Sequence, residues 1–300
     1  MKILKKIVKV NFDLWYKHMT PQRFFKRIPF VLNEYDLRLS NNPDIFIYCN
    51  RPPSGKFKKV FYTCDNVRPD TKNSDLALAF DYEDSIDNNT YLRFPNYARL
   101  GAGIDLINVK KNLDIDKLKK EKTKFCAFIY AHNVPIRNNF FNYLSKYKTV
   151  CSPGSCCNNR QPIGGYKRAQ DSRRSYTMYE DKVKFLKKYK FAIVFENSSY
   201  PGYTTEKIYH AMLANCIPIY WGNPLIGRDF NLYSMISAYE KKHNSSIDMF
   251  EYLINRIVEI DSNDLLYEKI IRQPWYNNNK LSSFVGKKRI MKIFSRVFDV

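Results

Sequence analysis

Short apolar runs that alternate with helix-like stretches constrain the fold of this chain more than any other feature. Each run is rich in branched or aromatic residues and is bounded by Asn, Pro, Gly or Asp, as buried strands usually are. The runs that predict strands are KIVKVNF (6–12), DIFIYC (44–49), KVFYT (59–63), DLALAF (75–80), KFCAFIY (124–130), FAIVF (191–195) and IPIYW (217–221). Helical periodicity marks 136–147 and 204–216 between the later runs. The alternation predicts an α/β protein with largely parallel sheets.

The strands fall into two series separated by the Lys-rich segment 110–124, which we predict to be a surface connection. Because 300 residues suffice for two domains, we predict domains at 1–115 and 116–270, followed by a tail at 271–300. The polar, basic segment 151–180 predicts a mobile loop. No apolar run approaches the roughly 20 residues that span a bilayer, so the sequence predicts no transmembrane helix.

The charge balance predicts an anionic partner. Lys and Arg number 50 against 29 Asp and Glu, a net charge of +21, which attracts nucleic acid, anionic lipid or phosphate-bearing substrates alike. Seven cysteines without a signal-peptide pattern favour a reduced, cytoplasmic location. Three of them share the segment CSPGSCC (151–157), but no second pair with metal-ligand spacing accompanies them, so we predict no metal site.

The segment FAIVFENSSYPGYTTEKIYHAMLANCIPIYWGNP carries the clearest chemical signal. A strand ends at Glu196 and Asn197, a turn follows, and a helix begins near Thr204 with Lys207 in its first turn. Ligands of parallel sheets lie at the carboxyl ends of strands, and the N–H groups of a helix start favour an anion. Tyr203 could stack on the same ligand. A helix cap followed by an exposed Glu–Lys pair is the alternative interpretation, and neither a dinucleotide nor a P-loop glycine pattern is present.

FENSS, YTTEK and IPIYWGNP together resemble the donor-binding signature of the α-1,3/4-fucosyltransferases of glycosyltransferase family 10, most closely the bacterial members. FYTCDNVRPD (61–70), YLRFPNY (91–97) and FIYAHNVPIRNNFF (128–141) resemble family segments in the same order. The resemblance implies a GT-B architecture, two Rossmann-like domains facing across a cleft. It also implies transfer of L-fucose from GDP-fucose to the 3-OH or 4-OH of an N-acetylglucosamine-containing glycan, with inversion and without a metal or other cofactor.

Site residues follow from the same resemblance. Arg137 and Lys207 correspond to the cations that neutralise the departing diphosphate, as a planar fork and a point charge respectively. Glu206 corresponds to the carboxylate that holds the ribose or faces the positive charge developing on fucose. Asn197 and Tyr203 match positions that line the nucleotide.

The catalytic base is expected at Asp65, in FYTCDN, where bacterial relatives carry Glu. Asp is one methylene shorter, so the acceptor hydroxyl must lie about an ångström closer for proton transfer. Val67 replaces a second family carboxylate, which leaves Asp65 as the local candidate. Asp114 and Asp116 form a DxD pattern, but it lies in the Lys-rich stretch and predicts a solvated face.

The final segment, 286–300, places apolar and basic residues on opposite sides of a predicted helix. Such a helix either lies on an anionic leaflet or packs on the first domain, as C-terminal helices of GT-B proteins often do. The first alternative fits peripheral association with the inner membrane face and a lipopolysaccharide-type acceptor.

Two other functions compete with fucosyl transfer. One is a GT-B transferase that uses a different nucleotide sugar. The other is a basic nucleic-acid-binding protein, supported by the charge of +21 and by 23 Tyr and 21 Phe available for stacking. No RRM, KH or zinc-finger spacing is present, so nucleic acid is not an expected partner.

Overall fold

The computed structural model describes residues 5–15, 18–86, 89–100, 103–163 and 174–299. Contacts between Cα atoms divide the chain into two units. The first comprises Met1–Ile104, Tyr200–Thr205 and Leu281–Val300, and the second comprises Asp105–Ser199 and Glu206–Lys280. The first unit thus includes a short turn from the middle of the chain. The domain ranges expected from sequence, 1–115, 116–270 and 271–300, stay a prediction.

A six-stranded sheet forms the centre of the first unit, and every neighbouring pair of strands in it is parallel. The strands are β1 (Lys6–Asp13), β2 (Tyr35–Leu39), β3 (Ile45–Tyr48), β4 (Lys58–Tyr62), β5 (Leu76–Ala79) and β6 (Tyr91–Arg93), in the spatial order β2-β1-β3-β4-β5-β6. All residues of β5 are buried, as expected for an inner parallel strand covered on both faces. The loops after β4 and β5 therefore emerge at the same edge of the sheet.

In the described part of the first unit the α-helices are α1 (Pro21–Phe24), α2 (Phe30–Glu34) and the C-terminal α10 (Lys287–Phe298). The apolar side of α10 is buried, and the Phe294 ring lies 4.8 Å from that of Phe25 and 5.4 Å from that of Phe94. Of the two alternatives for this helix, the structure thus shows packing on the first unit. Among the described residues no helix is both long and apolar enough to cross a membrane.

A five-stranded parallel sheet forms the centre of the second unit. Its strands are β7 (Lys124–Ala127), β8 (Val150–Cys151), β9 (Tyr189–Phe195), β10 (Ile217–Trp221) and β11 (Ile236–Ser237), in the order β11-β10-β9-β7-β8. The accompanying helices are α3 (Ile104–Lys111), α4 (Ile115–Glu121), α5 (Pro135–Ser145), α6 (Arg174–Leu186), α7 (Glu206–Leu213), α8 (Ser246–Asp261) and α9 (Asp264–Ile271). Since α7 packs on β9 and β10, the start of this helix is fixed beside the carboxyl ends of both strands.

These parallel sheets confirm the predicted α/β class. The segment 110–124, predicted to be a surface connection, is mostly exposed and contains α4. Asp114 is the N-cap of α4 and accepts a hydrogen bond from the Lys117 backbone N–H at 3.0 Å, while Ile115 and Leu118 are buried. The predicted loop at 151–180 includes the start of α6, and its residues 164–173 lie outside the described residues.

Candidate functional site

Glu196 follows the last residue of β9 and is completely buried. Its backbone N–H donates to the Trp221 carbonyl at 2.8 Å, which continues the pairing of β9 with β10. Gly222 directly follows the last residue of β10 and has a φ of +156°. A Cβ at Gly222 would lie 2.5 Å from Cγ of Glu196. The glycine after Trp221 is therefore needed because it leaves space for the Glu196 side chain.

Lys207, in the first turn of α7, compensates this buried charge. Its Nζ donates to Oε2 of Glu196 at 3.0 Å and lies 3.6 Å from Oε1 of Glu206. The Lys207 side chain is 19% exposed and that of Glu206 30%, so both groups reach the surface. Glu206 and Lys207 are therefore part of a larger charged cluster that includes the buried Glu196. The alternative interpretation, a helix cap followed by an exposed Glu–Lys pair, does not account for this cluster.

Arg137 reaches the same place from α5. Its Nε donates to the carbonyl oxygens of Phe195 and Glu196 at 3.0 and 3.1 Å, and its guanidinium lies 4.3 Å from the centre of the Tyr130 ring. Tyr130 is held in turn, because its hydroxyl donates to the Ile193 carbonyl at 2.9 Å. Among the described residues, the hydrogen bonds of Arg137 engage only Nε, so both terminal nitrogens are available to a ligand.

Lys182, on α6, is a third cation at this location. It lines a small, partly open pocket together with Tyr130, Lys207 and Ala211. Burial lowers the pKa of Lys182, the negative charges of Glu206 and Glu196 raise it, and the positive charges of Lys207 and Arg137 lower it further. We call the group formed by Arg137, Lys182, Glu196, Glu206 and Lys207 the cationic corner.

Glu206 is held in its ionised form. Burial raises its pKa, but the neighbouring charges of Lys207, Lys182 and His210 outweigh burial, and the pKa lies well below the ordinary value for Glu. A carboxylate with a lowered pKa is a poor proton acceptor and a good acceptor of hydrogen bonds from hydroxyl groups. The cationic corner contains three cations and two carboxylates among its described side chains, so it suits an added anion.

Asn197 is the next residue after Glu196, also in the second unit. It is exposed, and its Oδ1 accepts a hydrogen bond from the Ser198 hydroxyl at 3.0 Å. Tyr203 belongs to the turn that clusters with the first unit. Its side chain is 2% exposed, and its ring lies 4.9 Å from the ring of Phe80 in an edge-on arrangement.

Asp65 lies in the first unit, in the exposed loop after β4. Its backbone N–H donates to the Thr63 hydroxyl at 3.2 Å, and its carbonyl accepts from the Val67 N–H at 2.7 Å. Asp70, the next carboxylate along the chain, accepts from the Tyr48 hydroxyl at 2.9 Å. The exposed position of Asp65 at a strand's carboxyl end is compatible with contact to a substrate.

No group of three or more His, Cys, Asp or Glu side chains within the described part of the chain is arranged to hold a metal ion. All seven cysteines are present as free thiols. Cys156 and Cys157 are adjacent, with their sulfur atoms 3.7 Å apart.

Comparison with known proteins identifies the family. Residues 119–293 match the family described as glycosyltransferase family 10 (fucosyltransferase) C-term, and residues 10–100 match the alpha-(1,3)-fucosyltransferase FucT N-terminal domain. The chain belongs to glycosyltransferase family 10. The resemblance drawn from FENSS, YTTEK and IPIYWGNP is thereby confirmed.

Individual relatives of this family-10 chain agree. It is 31% identical over 266 residues to the alpha-(1,3)-fucosyltransferase FucT of Helicobacter pylori, covering 75% of this chain and 52% of that protein. It is 38% identical over 177 residues to a putative fucosyltransferase of Acanthamoeba polyphaga mimivirus, covering 58% of this chain and 27% of that protein. The chain thus spans about half, or less, of the length of these curated relatives.

The fold agrees with that of a solved structure. A crystal structure of an alpha1,3-fucosyltransferase with GDP-fucose superposes with a TM-score of 0.75 at 22% identity, covering 100% of this chain and 93% of that one. This likeness confirms the expected GT-B type of α/β fold.

Sequence reasoning named three members of the cationic corner, Arg137, Glu206 and Lys207, and the structure brings them together. It missed two. Glu196 belongs to the FEN motif. The available signal was its position at the end of a buried strand, shortly before Lys207 in the sequence. Lys182 had no such signal, because it follows the segment that we predicted to be a loop.

Proposed function

We propose that this family-10 chain transfers L-fucose from GDP-fucose to the 3-OH or 4-OH of an N-acetylglucosamine-containing glycan, with inversion at the anomeric carbon. The acceptor oxygen forms a bond to that carbon while the bond to the diphosphate oxygen breaks. The acceptor hydroxyl gives up its proton to a base, and GDP departs with the electron pair of the broken bond. The reaction therefore requires one base and positive charge at the departing diphosphate.

The cationic corner is the observation that carries this proposal. The two terminal nitrogens of Arg137 offer a planar fork to phosphate oxygens, and Lys207 adds a point charge from the first turn of α7. Both cations are anchored before any ligand binds, so little reorganisation is needed as charge develops on the leaving group. In the proposed mechanism they do the work of a divalent metal, and no cofactor is required.

Glu206 takes a different part because it is held ionised. It accepts hydrogen bonds from the ribose or faces the positive charge that develops on the fucose ring. Asn197 and Tyr203 complete the nucleotide-binding set in this proposal. Asp65, the exposed carboxylate after β4, removes the proton from the acceptor hydroxyl.

The acceptor and the location are parts of the same proposal. A lipopolysaccharide-type glycan at the cytoplasmic face of a membrane fits a protein with a net charge of +21. The apolar side of α10 is buried against the first unit. An anionic membrane would therefore be contacted through exposed basic side chains, and this contact would weaken as salt is added.

The direct test is incubation of the purified chain with GDP-fucose and N-acetyllactosamine or its type 1 isomer, followed by linkage analysis. The proposal expects an α-linked fucose on N-acetylglucosamine and GDP as coproduct, with undiminished yield in EDTA. The alternative function is a transferase for another nucleotide sugar. Thermal shifts measured with GDP-fucose, GDP-mannose and UDP-sugars distinguish it from fucosyl transfer, because the donor that binds most tightly stabilises the protein most. Larger stabilisation by one of the other donors, with no fucosylated product, would favour that alternative.

A further inference from the structure

Arg68 connects the proposed base to the rest of the first unit. It closes the loop Cys64–Arg68, which we call the Asp65 loop, and its Nη2 donates to Oδ1 of Asn66, the neighbour of Asp65. Its other terminal nitrogen, Nη1, donates to Oδ1 of Asp81 at 2.6 Å. The Asp81 side chain is only 2% exposed, so one guanidinium joins an exposed loop to a fixed, buried carboxylate.

The same guanidinium contacts two aromatic rings. Its Cζ is 3.3 Å from the centre of the Tyr200 ring and 4.7 Å from that of Phe80. Tyr200 begins the turn Tyr200–Thr205, which forms part of the first unit. Arg68 therefore contacts the base-bearing loop and the turn of the donor signature at once.

The turn itself is fixed where Arg68 meets it. Gly202 has a φ of +85°, and a Cβ at this residue would lie 2.5 Å from the Phe80 carbonyl oxygen. Arg93, which is fully buried, donates from Nη2 to the Gly202 carbonyl at 3.3 Å and from Nε to the Phe80 carbonyl at 2.9 Å. The Tyr200 ring is thus a firm surface against which the Asp65 loop can be held.

Only arginine meets these demands together. The planar guanidinium stacks on a ring while its in-plane N–H groups donate to two separate acceptors, whereas a lysine ammonium is a compact charge without a flat face. Burial raises the pKa of Asp81, and the Arg68 charge is the leading influence that lowers it again. The ion pair with Arg68 thus favours the ionised form of this carboxyl.

We propose that Arg68 is a positioning residue of the transfer reaction: it holds the Asp65 loop against the Tyr200–Thr205 turn and so sets the place of the base. This inference rests on the proposed function, in which Asp65 takes the acceptor proton. Displacement of a reacting group by about an ångström costs up to about 100-fold in rate. Loss of Arg68 therefore lowers kcat and leaves GDP binding to the cationic corner intact.

The test is a double-mutant cycle of Arg68→Met and Asp65→Asn, with turnover and GDP affinity measured for each variant. We expect Arg68→Met alone to lower kcat about 10- to 100-fold, with the dissociation constant for GDP within twofold of wild type. Added to Asp65→Asn, it should cause no further loss, because a residue that acts through the base has no effect once the base is gone. Equal losses in both backgrounds would overturn the inference.

Three further variants sharpen the result. Arg68→Lys keeps the charge without the flat face, and we expect it to fail to restore kcat. Arg38→Met is the matched control, because Arg38 pairs with Asp36 on the surface of the same unit, its side chain 59% exposed, and we expect wild-type turnover. If Arg68→Met does not fold, Tyr200→Ala removes the stacking surface instead, and unchanged kcat in that variant would contradict the proposal.

The two levels of the proposal fail in different ways. Wild-type turnover in Asp65→Asn would remove the base and with it the proposed mechanism. An inactive Asp65→Asn together with wild-type turnover in Arg68→Met would remove the positioning role alone.

Discussion

The cationic corner of the second unit and the Asp65 loop of the first unit hold their charged groups in different ways. In the corner, Glu196 is completely buried and Lys207 lies 3.0 Å from it, while backbone carbonyls fix Arg137. In the loop, Asp65 is exposed, and its backbone is held by hydrogen bonds with Thr63 and Val67. The corner is fixed by its own buried contacts, and the loop is fixed from outside through Arg68.

This difference matches the proposed chemistry. Charge on a departing diphosphate is stabilised best by groups that need no rearrangement, and buried ion pairs provide such groups. A base must meet a large glycan at the surface and exchange its proton with solvent. The corner should consequently govern donor affinity and the loop should govern turnover, and each prediction below tests that division.

The largest effect is expected at the loop. Asp65→Asn removes the base and should lower kcat by about 10²- to 10⁴-fold, with GDP-fucose affinity nearly unchanged because the base acts in the transition state. Steady-state kinetics with saturating acceptor and calorimetric titration of GDP check both halves. A substantial loss of GDP affinity would show that the loop and the corner are not separate in function.

At the corner, Arg137→Ala and Lys207→Ala should each weaken GDP binding by about 10- to 100-fold, since each removes charge-assisted bonds to phosphate. Lys207→Ala should also lower the free energy of unfolding by about 3 kcal/mol, because buried Glu196 loses its cation. GDP affinity is measured under conditions in which circular dichroism shows that each variant is folded. Lys146→Ala, an exposed residue just after α5, is the control, and normal GDP affinity in both test variants would remove them from the diphosphate.

Lys182→Met should have a smaller effect, about a fivefold loss of GDP affinity, as expected for a charge worth about 1 kcal/mol. The matched control is Lys184→Met, two residues along α6 and exposed. Both variants remove a positive charge, so general attraction between the basic protein and an anion is the same in each. Equal affinities in the two variants would exclude Lys182 from the anion site.

The smallest effect on activity is expected for a buried lysine outside the corner. Lys110 donates to the Ile271 carbonyl and lies 3.5 Å from the centre of the Trp275 ring. Burial, together with the charge of Lys122, lowers the pKa of Lys110 to about 6. Between that value and its ordinary pKa near 10.4 the folded protein binds fewer protons than the unfolded chain, so stability rises with pH in this window.

Lys110→Met removes this contribution. The free energy of unfolding of wild type, relative to the variant, should therefore increase from pH 6.5 to 9, by up to about 1.4 kcal/mol per pH unit. Urea titrations of both proteins across this range measure the difference. Parallel pH profiles would show that Lys110 keeps its proton throughout this pH range.

Sequence patterns predicted the sheets well, because each inner strand is a compact apolar run. They failed where burial is decided by distant residues. The edge strands β2 and β6 are short and mixed in composition. Helix α4 lies in a Lys-rich segment, and its buried residues are Ile115 and Leu118. The choice between membrane and protein for α10 depended on rings such as Phe25 and Phe94, far away in the chain.

For the site, the resemblance to glycosyltransferase family 10 predicted Arg137, Glu206 and Lys207 together. It could not predict Lys182, whose helix follows a polar segment, or the role of Arg68, which depends on Asp81 and Tyr200 across the chain. Local patterns thus indicate which residues contact a ligand, while the residues that hold them in place require the fold.

The central claim is that fixed cations at the start of α7 and on α5 receive the diphosphate. A crystal structure of the chain with bound GDP tests it most directly. We expect phosphate oxygens within about 3.2 Å of the terminal nitrogens of Arg137 and of Nζ of Lys207. A diphosphate bound elsewhere, with both side chains in contact only with protein, would contradict the account.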